Sequence, residues 1–509
     1  MRKLAFWLCV LGLGGCSSSG SEPRSSAVES AGSRADEAPV PDKAPTADKA
    51  PEPATKPSVP LDGVQAAGTG RGGAGTSVAG AGGQPAAAPT DRAAAPQSDA
   101  GPAQPTAADE DGGVPDQDGG LPRTPIARLD LLFVVDNTNS MAGEQQSLQA
   151  ALPQFIQALT TGVSRSTRQP VFRPVRNVHI GVVSADMGTA GIEFGSCHAD
   201  GGDDGRLQSV PRGPECAASY PAFLSYGTDS PAERDQLARD FACIAALGTG
   251  GCGFEQPFEA AFKALWPSTF RDATGQAVEP NPYTFLASTP DGAKGRGDVP
   301  SAQGGNLGFL RNDVDDPSLI AIVVLTDEDD CSARDSEFLK LANQLASDSP
   351  YRQQLDMNLR CFLNKDKLYD VATRYAQGFH RLRLGDERRV VFAAITGIPT
   401  DLVDVQARAG VDFKDAVMRD QFYGRVLNDP RMQEVIDPTS NPGMGTGNLV
   451  PSCSRQDATG ELSTAYPPRR IIQLAESFGE QGIVQSICQD DFAPAIDAVV
   501  ELIARQLTP

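Results

Sequence analysis

The chain has 509 residues, 44 Lys and Arg against 65 Asp and Glu, a formal net charge of −21 and only three histidines. Residues 17–120 hold 23 Ala, 16 Gly, 14 Pro and 11 Ser, with no Phe, Trp, Tyr or Ile, too little apolar surface to offset the entropy of ordering that backbone. The charge is +2 over 1–16, −8 over 17–120 and −15 over 121–509, which argues against nucleic-acid binding, because a phosphate-tracking surface needs clustered Lys and Arg. Divalent cations or basic partners suit such a chain better.

In chain order, Arg2 and Lys3 precede the ten-residue apolar run LAFWLCVLGL. A basic start and a short apolar segment form a secretory signal over 1–15, and the run is too short to span a bilayer, which takes about 20 residues. Leu13-Gly14-Gly15-Cys16 resembles a bacterial lipobox. The resemblance implies a lipidated Cys16 as the mature N-terminus, several acyl chains sufficient for stable anchoring, and, with Ser17 following, onward transport to the outer membrane with possible exposure at the cell surface. Residues 16–120 then read as a lipidated Cys followed by a disordered Ala/Gly/Pro/Ser-rich tether, spanning on the order of 50–60 Å root-mean-square.

Residues 121–509 hold the only plausible core. Apolar runs at 127–136, 178–186, 319–327 and 389–397, dense in Val and Ile and ending in Asp, Thr or Gly, suit strands buried on both faces. Between them lie helical stripes: Leu148, Leu152, Phe155, Ile156 and Leu159; Leu237, Phe241, Ile244 and Ala245; Phe258, Ala261, Phe262 and Leu265 behind Pro257; and Leu368, Val371, Tyr375, Phe379 and Leu382. Asp491 is placed to cap a last helix carrying Phe492, Ile496, Val499, Val500 and Ile503. The alternation predicts an α/β fold with a doubly wound, mostly parallel sheet. Long insertions at about 187–234, 267–314 and 400–466 are expected to form a disulfide-braced collar at one end of that sheet.

Beyond Cys9 and Cys16, eight cysteines remain: Cys197, Cys216, Cys243, Cys252, Cys331, Cys361, Cys453 and Cys488. An even number in an exported chain implies up to four disulfides among 105 connectivities. Proximity suggests 197–216, 243–252, 331–361 and 453–488. Metal ligation is the rival reading, and no CxxC pair supports it.

The first strand ends in LLFVVDNTNSM, a D-x-T-x-S sequence at Asp136, Thr138 and Ser140. One carboxylate and two hydroxyls converging at a strand's C-terminal edge suit a hard cation, Mg²⁺, Mn²⁺ or Ca²⁺. This motif resembles the metal-ion-dependent adhesion site of von Willebrand factor type A domains, whose first motif is D-x-S-x-S. The resemblance covers roughly 126–397 with a closing strand and helix near 483–507, and it extends to LIAIVVLTDEDD, whose Asp327 matches the family's last metal-site aspartate. It implies a divalent cation, Mg²⁺ first, near Asp136, Thr138, Ser140 and Asp327, completed by a carboxylate from a protein or extracellular-matrix partner. The family's threonine loop departs from the pattern. In ALGTGGCGFEQPFEAAFKAL Cys252 falls near the threonine position, and a disulfide there would leave Thr249 or Glu255 to complete the set.

Other clusters carry less. Asp327-Glu328-Asp329-Asp330 invites an acid/base reading, yet consecutive acids more often form a solvated loop. Asp200, Asp203 and Asp204 resemble a calcium-loop fragment without the EF-hand spacing, and Arg296-Gly297-Asp298 is a tripeptide common by chance. His179 reads as a packed core histidine, and His198 and His380 have no evident partners. With no GxSxG, HExxH or P-loop, the expected function is not enzymatic: a lipid-anchored envelope binding module for adhesion or complex assembly. The alternatives are a metal-independent structural lipoprotein and an extracytoplasmic hydrolase. Replacing Cys16→Ser is expected to move the protein from the membrane pellet to the soluble fraction; a mutant still in the pellet would overturn the lipobox reading.

Overall fold

The structure, a computed structural model, describes residues 126–507 apart from 164–167, 171, 194, 200, 229, 273, 314–316, 384–385 and 457–461. The signal, Cys16, the tether and Asp200 lie outside the described residues. Among the described residues no helix is long and apolar enough to cross a membrane.

Eight strands are present among the described residues: β1 (Arg128–Val135), β2 (Asn177–Ser184), β3 (Leu224–Tyr226), β4 (Leu319–Leu325), β5 (Val390–Thr396), β6 (Cys453–Gln456), β7 (Leu462–Ala465) and β8 (Gly482–Ser486). The helices are α1 (Ala142–Thr161), α2 (Pro231–Ala245), α3 (Pro257–Leu265), α4 (Arg360–Leu363), α5 (Gln377–Arg381), α6 (Val405–Arg408), α7 (Ala416–Asn428), α8 (Arg469–Ser477) and α9 (Ala493–Leu507). Six strands form one sheet in the order β3-β2-β1-β4-β5-β8, parallel throughout except for the antiparallel edge strand β3. Strands β6 and β7 pair separately as a hairpin.

The sheet is covered on both faces, which explains its unbroken apolar strands. Alternate residues of β1, Leu129, Leu131, Phe133 and Val135, pack with α1, α2 and α9. Leu132 and Val134 face the other way, against α3, the Val371–Phe379 turns, α7 and α8. The stripe expected over 368–382 is a single π-helical segment, Val371–Ala376, that runs into α5. Asp491 accepts the Ala493 N–H at 2.8 Å, in the capping role expected of it. Several elements had no clear signal: β3, three residues long, the hairpin β6–β7, and the helices α4, α6, α7 and α8.

All eight cysteines are paired, as Cys197–Cys252, Cys216–Cys243, Cys331–Cys361 and Cys453–Cys488. Two of the expected pairs hold. The pairs 197–216 and 243–252 are corrected, because the partners belong to different packing regions. Cys197 and Cys252 are buried together with Ile192, Phe254 and Cys331 in a third apolar cluster. Cys243 lies on α2 and is only partly buried, like Cys216 in the segment leading to β3. The same cluster takes Phe338, Leu339, Leu345 and Tyr351, so residues 331–370 form a further insertion absent from the expected set.

The N-terminal edge of the sheet is closed by charge. Asp130, fully buried, accepts Arg311 Nε and the Arg311 N–H at 2.7 Å each and also bonds Ser318 Oγ. Arg383, 3% exposed, donates to Ser318 O at 2.7 Å and lies 3.9 Å from the same carboxylate. Removing one partner of a buried charged network leaves the other uncompensated, a cost of about 3–5 kcal/mol. Asp130→Ala is therefore expected to lower urea-unfolding stability by that amount, while Asp313→Ala, at the exposed partner of Arg128, leaves the midpoint nearly unchanged.

Candidate functional site

β1 and β4 are neighbours from which the chain winds outward in opposite directions, so their C-terminal ends form a topological switch point, where open α/β sheets bind ligands. Val135 pairs with Leu325 and with Ser184. The register therefore sets Asp136 beside Thr326, with Asp327 one residue further.

Asp136 is fully buried. Its Oδ1 accepts the Thr138 N–H and the Thr138 hydroxyl, each at 2.8 Å, and its Oδ2 accepts the Thr326 hydroxyl at 2.7 Å. Ser140, exposed, lies 3.3 Å from Thr138 Oγ1. Asp327 is 1% exposed, and its Oδ1 is buried with no hydrogen-bond partner. Burial raises the Asp136 carboxyl above its ordinary value, against the hydrogen bonds from Thr138 and Thr326. Burial, then the charges of Asp136 and Glu328, push Asp327 well above its ordinary value, with the Ser140 hydroxyl opposing. D-x-T-x-S and Asp327 are thus brought to one edge.

The threonine loop is docked onto this edge by a residue that the motif did not reveal. Gln145, buried in the first turn of α1, donates to Asp136 O at 2.9 Å and Gly248 O at 2.8 Å, and accepts the Gly248 N–H at 3.0 Å. Gly251 N–H donates to Asn137 O at 2.7 Å. Thr249 is exposed on this loop and makes no hydrogen bond to Asp136, Ser140 or Asp327 among the described residues. Cys252 is held by Cys197 and cannot act as a ligand. Glu255 is 4% exposed and raised well above its ordinary value, first by burial and then by the charges of Glu328, Asp136 and Asp327.

Five carboxylates therefore crowd the edge: Asp136, Glu144, Glu255, Asp327 and Glu328. Of these Glu144 alone has a cation at hand, Arg455 at 3.3 Å, and its Oε2 is still unpartnered. Among the described residues no three His, Cys, Asp or Glu side chains are arranged to hold a metal ion. The Asp136 set is of another kind, two carboxylates with two hydroxyls, all hard oxygens. An unpartnered buried carboxylate oxygen beside it is the donor chemistry that a divalent cation of the Mg²⁺ type fits.

Other candidates find different roles. The run Asp327–Asp330 is not a solvated loop. Asp327 and Asp330 are each 1% exposed. Asp330 accepts the Phe258 N–H at 3.1 Å and Ser332 Oγ at 2.6 Å and pairs with Arg470 at 3.1 Å, while Asp329 accepts the Arg470 and Ile471 N–H groups. Burial takes Glu328 and Asp329 to about 7. Asp204 pairs with buried Lys263 at 2.5 Å and with Arg296, and Asp203 accepts Ser184 Oγ at 2.6 Å. Arg296-Gly297-Asp298 is spent internally, since Asp298 accepts the Ser268 N–H at 2.5 Å. His179 contacts Phe309 O at 2.8 Å, and His380 lies 4.0 Å from Glu387.

No protein-family model and no curated protein matches the chain.

The loop's seat depends on a close approach at one glycine. A Cβ added at Gly251 would stand 2.1 Å from Asn137 Oδ1, whereas at Gly250 it would meet nothing within 4 Å. Gly251→Ala is expected to lower thermal stability by about 1–3 kcal/mol and to increase amide exchange over 246–252. Gly250→Ala serves as the unaffected control, and equal behaviour of the two would contradict the docked loop.

Proposed function

We propose that the chain is a lipid-anchored envelope module of the von Willebrand factor type A kind, which binds an acidic residue of a partner through a divalent cation at the Asp136 edge. The order β3-β2-β1-β4-β5-β8 with one antiparallel edge strand supports the type A reading, as does D-x-T-x-S at the switch point. The observation that carries the metal reading is Asp327: a buried carboxylate with an unpartnered oxygen, facing the charge of Asp136 with no basic side chain to offset either.

Asp136, Thr138, Ser140 and Asp327 would hold the ion. When bound, a cation supplies the positive charge that lets two buried carboxylates coexist and leaves a position for an outside carboxylate. The residues do the rest. Thr326 and the Thr138 N–H fix the Asp136 carboxylate. Gln145 fixes the turn beneath it, and Ser140 presents its hydroxyl at the exposed rim. Neutral hydroxyls among the ligands leave the ion short of negative charge, which favours an acidic partner. Adhesion or envelope-complex assembly follows from such chemistry on an anchored, tethered body.

A metal-independent structural lipoprotein is favoured by one observation, that Cys252 stands near the threonine position and is locked in a disulfide. Thermal melts of the full-length oxidised protein in EDTA and in millimolar Mg²⁺, Mn²⁺ or Ca²⁺ separate the two. A cation that binds only the native state raises its stability, here by about 2–4 °C in midpoint. Ser140→Ala is expected to reduce that rise without harming the fold. Asp327→Asn is expected to raise the midpoint in EDTA, because it removes an unpaired buried charge, and to abolish the metal response. A flat wild-type response to all three ions would leave the structural reading standing.

A further inference from the structure

Next to the metal edge lies a second feature, a cavity of about 50 Å³. Glu255 and Glu328 are among its lining residues, Phe254, Met357, Phe362 and Leu449 supply apolar lining, and Lys365, exposed, also lines it. Neither Asp136 nor Asp327 lines it. Its charges do not balance. Lys365 is paired with Glu434 and Arg470 with Asp330, and Asp329 is held by two backbone N–H groups. Among the described residues Glu255 and Glu328 have no cation. The Glu255 carboxylate, on a residue 4% exposed, is hydrogen-bonded by its own backbone N–H, and among the described residues no other group bonds it. A buried carboxylate with no cation beside it is costly in a cavity wall unless something cationic completes it.

We propose that this cavity receives a basic side chain of the partner, a lysine, whose ammonium meets Glu255 and Glu328 while its aliphatic stem lies along the apolar lining. A compact ammonium on an unbranched stem suits so small a space better than a planar guanidinium. The inference rests on the metal reading in one respect. Glu328 directly follows Asp327, so a partner that gives its carboxylate to the edge would present the lysine within a few residues of it. The partner is thereby narrowed from any acidic surface to a segment carrying an acid and a lysine close together. That specificity comes from residues 253–255, 328–331, 357–362 and 448–449, and so mainly from insertions outside the strands of the sheet.

The test uses the full-length protein and acetylated Asp-(Gly)n-Lys amides, with n from 0 to 3, against the same peptides carrying norleucine for lysine. In Mg²⁺ the best lysine peptide is expected to bind at least about tenfold more tightly than its norleucine counterpart, the worth of one charge-assisted contact. The difference is expected to vanish in Glu328→Gln, in which the magnesium-dependent melting rise persists. Magnesium-dependent binding with no preference for lysine would overturn the inference and leave the metal edge intact. If the melts are flat in every ion, the metal reading fails by itself, and N-acetyl-lysine amide, which has no carboxylate, decides the cavity in EDTA. Binding lost in Glu328→Gln would sustain the inference, and no binding would overturn it. A second Mn²⁺ per chain that disappears in Glu328→Gln would assign the cavity to an ion and likewise overturn it.

Discussion

Crowded negative charge at one end of a parallel sheet is the constraint around which this molecule is arranged. Asp136, Asp327 and Glu328 are carried to that end by strand register and by the turns that follow β1 and β4, Glu255 by the loop between α2 and α3, and Arg455 is committed to Glu144. Like charges brought together in low dielectric repel strongly. A chain optimised only for stability would not keep them. Their place at the topological switch point, with the hydrogen bonds that orient Asp136, is what the proposed cation site would account for.

The opposite end of the sheet shows what the same chemistry looks like when it is structural. Asp130 is as buried as Asp136, yet Arg311, Arg383 and Ser318 satisfy it completely. Glu259 is likewise matched, by Arg374 at 2.5 Å and by Tyr375 at 2.8 Å, and Asp356 by three glycine N–H groups of the 443–447 loop. Everywhere else the fold equips its buried acids with partners. The contrast between Asp130, within β1, and Asp327, just past the end of the neighbouring β4, carries more weight than the count of acids at either end.

Four inner strands of the sheet were legible because burial on both faces demands continuous Val- and Ile-rich runs, and two of these runs end in Asp136 and Asp327. The Asp136 motif and Asp327 were legible because each directly follows such a run, at the strand end where ligands bind in open α/β sheets. What escaped was settled by tertiary context. Gln145 shares the apolar stripe of Leu148 and Leu152, and a polar residue on that stripe was the available signal for its role. Asp327–Asp330 reads as solvated in one dimension. Arg470, 140 residues past Asp330 in the chain, and the N–H groups at the start of α8 bury it. The exchange of partners between Cys197, Cys216, Cys243 and Cys252 followed from which packing region each cysteine occupies, which spacing does not encode.

The collar has a consequence for how the edge can work. Cys197–Cys252 ties the threonine loop to the first insertion, and Cys331–Cys361 ties the segment after Asp327 to the 331–370 insertion. Both disulfides sit in one apolar cluster with Phe254, Phe338 and Tyr351. The two loops that frame the edge are thus cross-linked on the sides away from Asp136, while Gln145 holds the nearer side of the threonine loop at Gly248. A loop pinned at both flanks loses little conformational freedom when a ligand arrives, so less of the contact energy is consumed in ordering it. The same pinning limits any large swing of the loop between states. An acidic edge built this way is pre-organised, and its affinity would be set by charge and fit at Asp136, Asp327 and the neighbouring cavity, with little contribution from loop rearrangement.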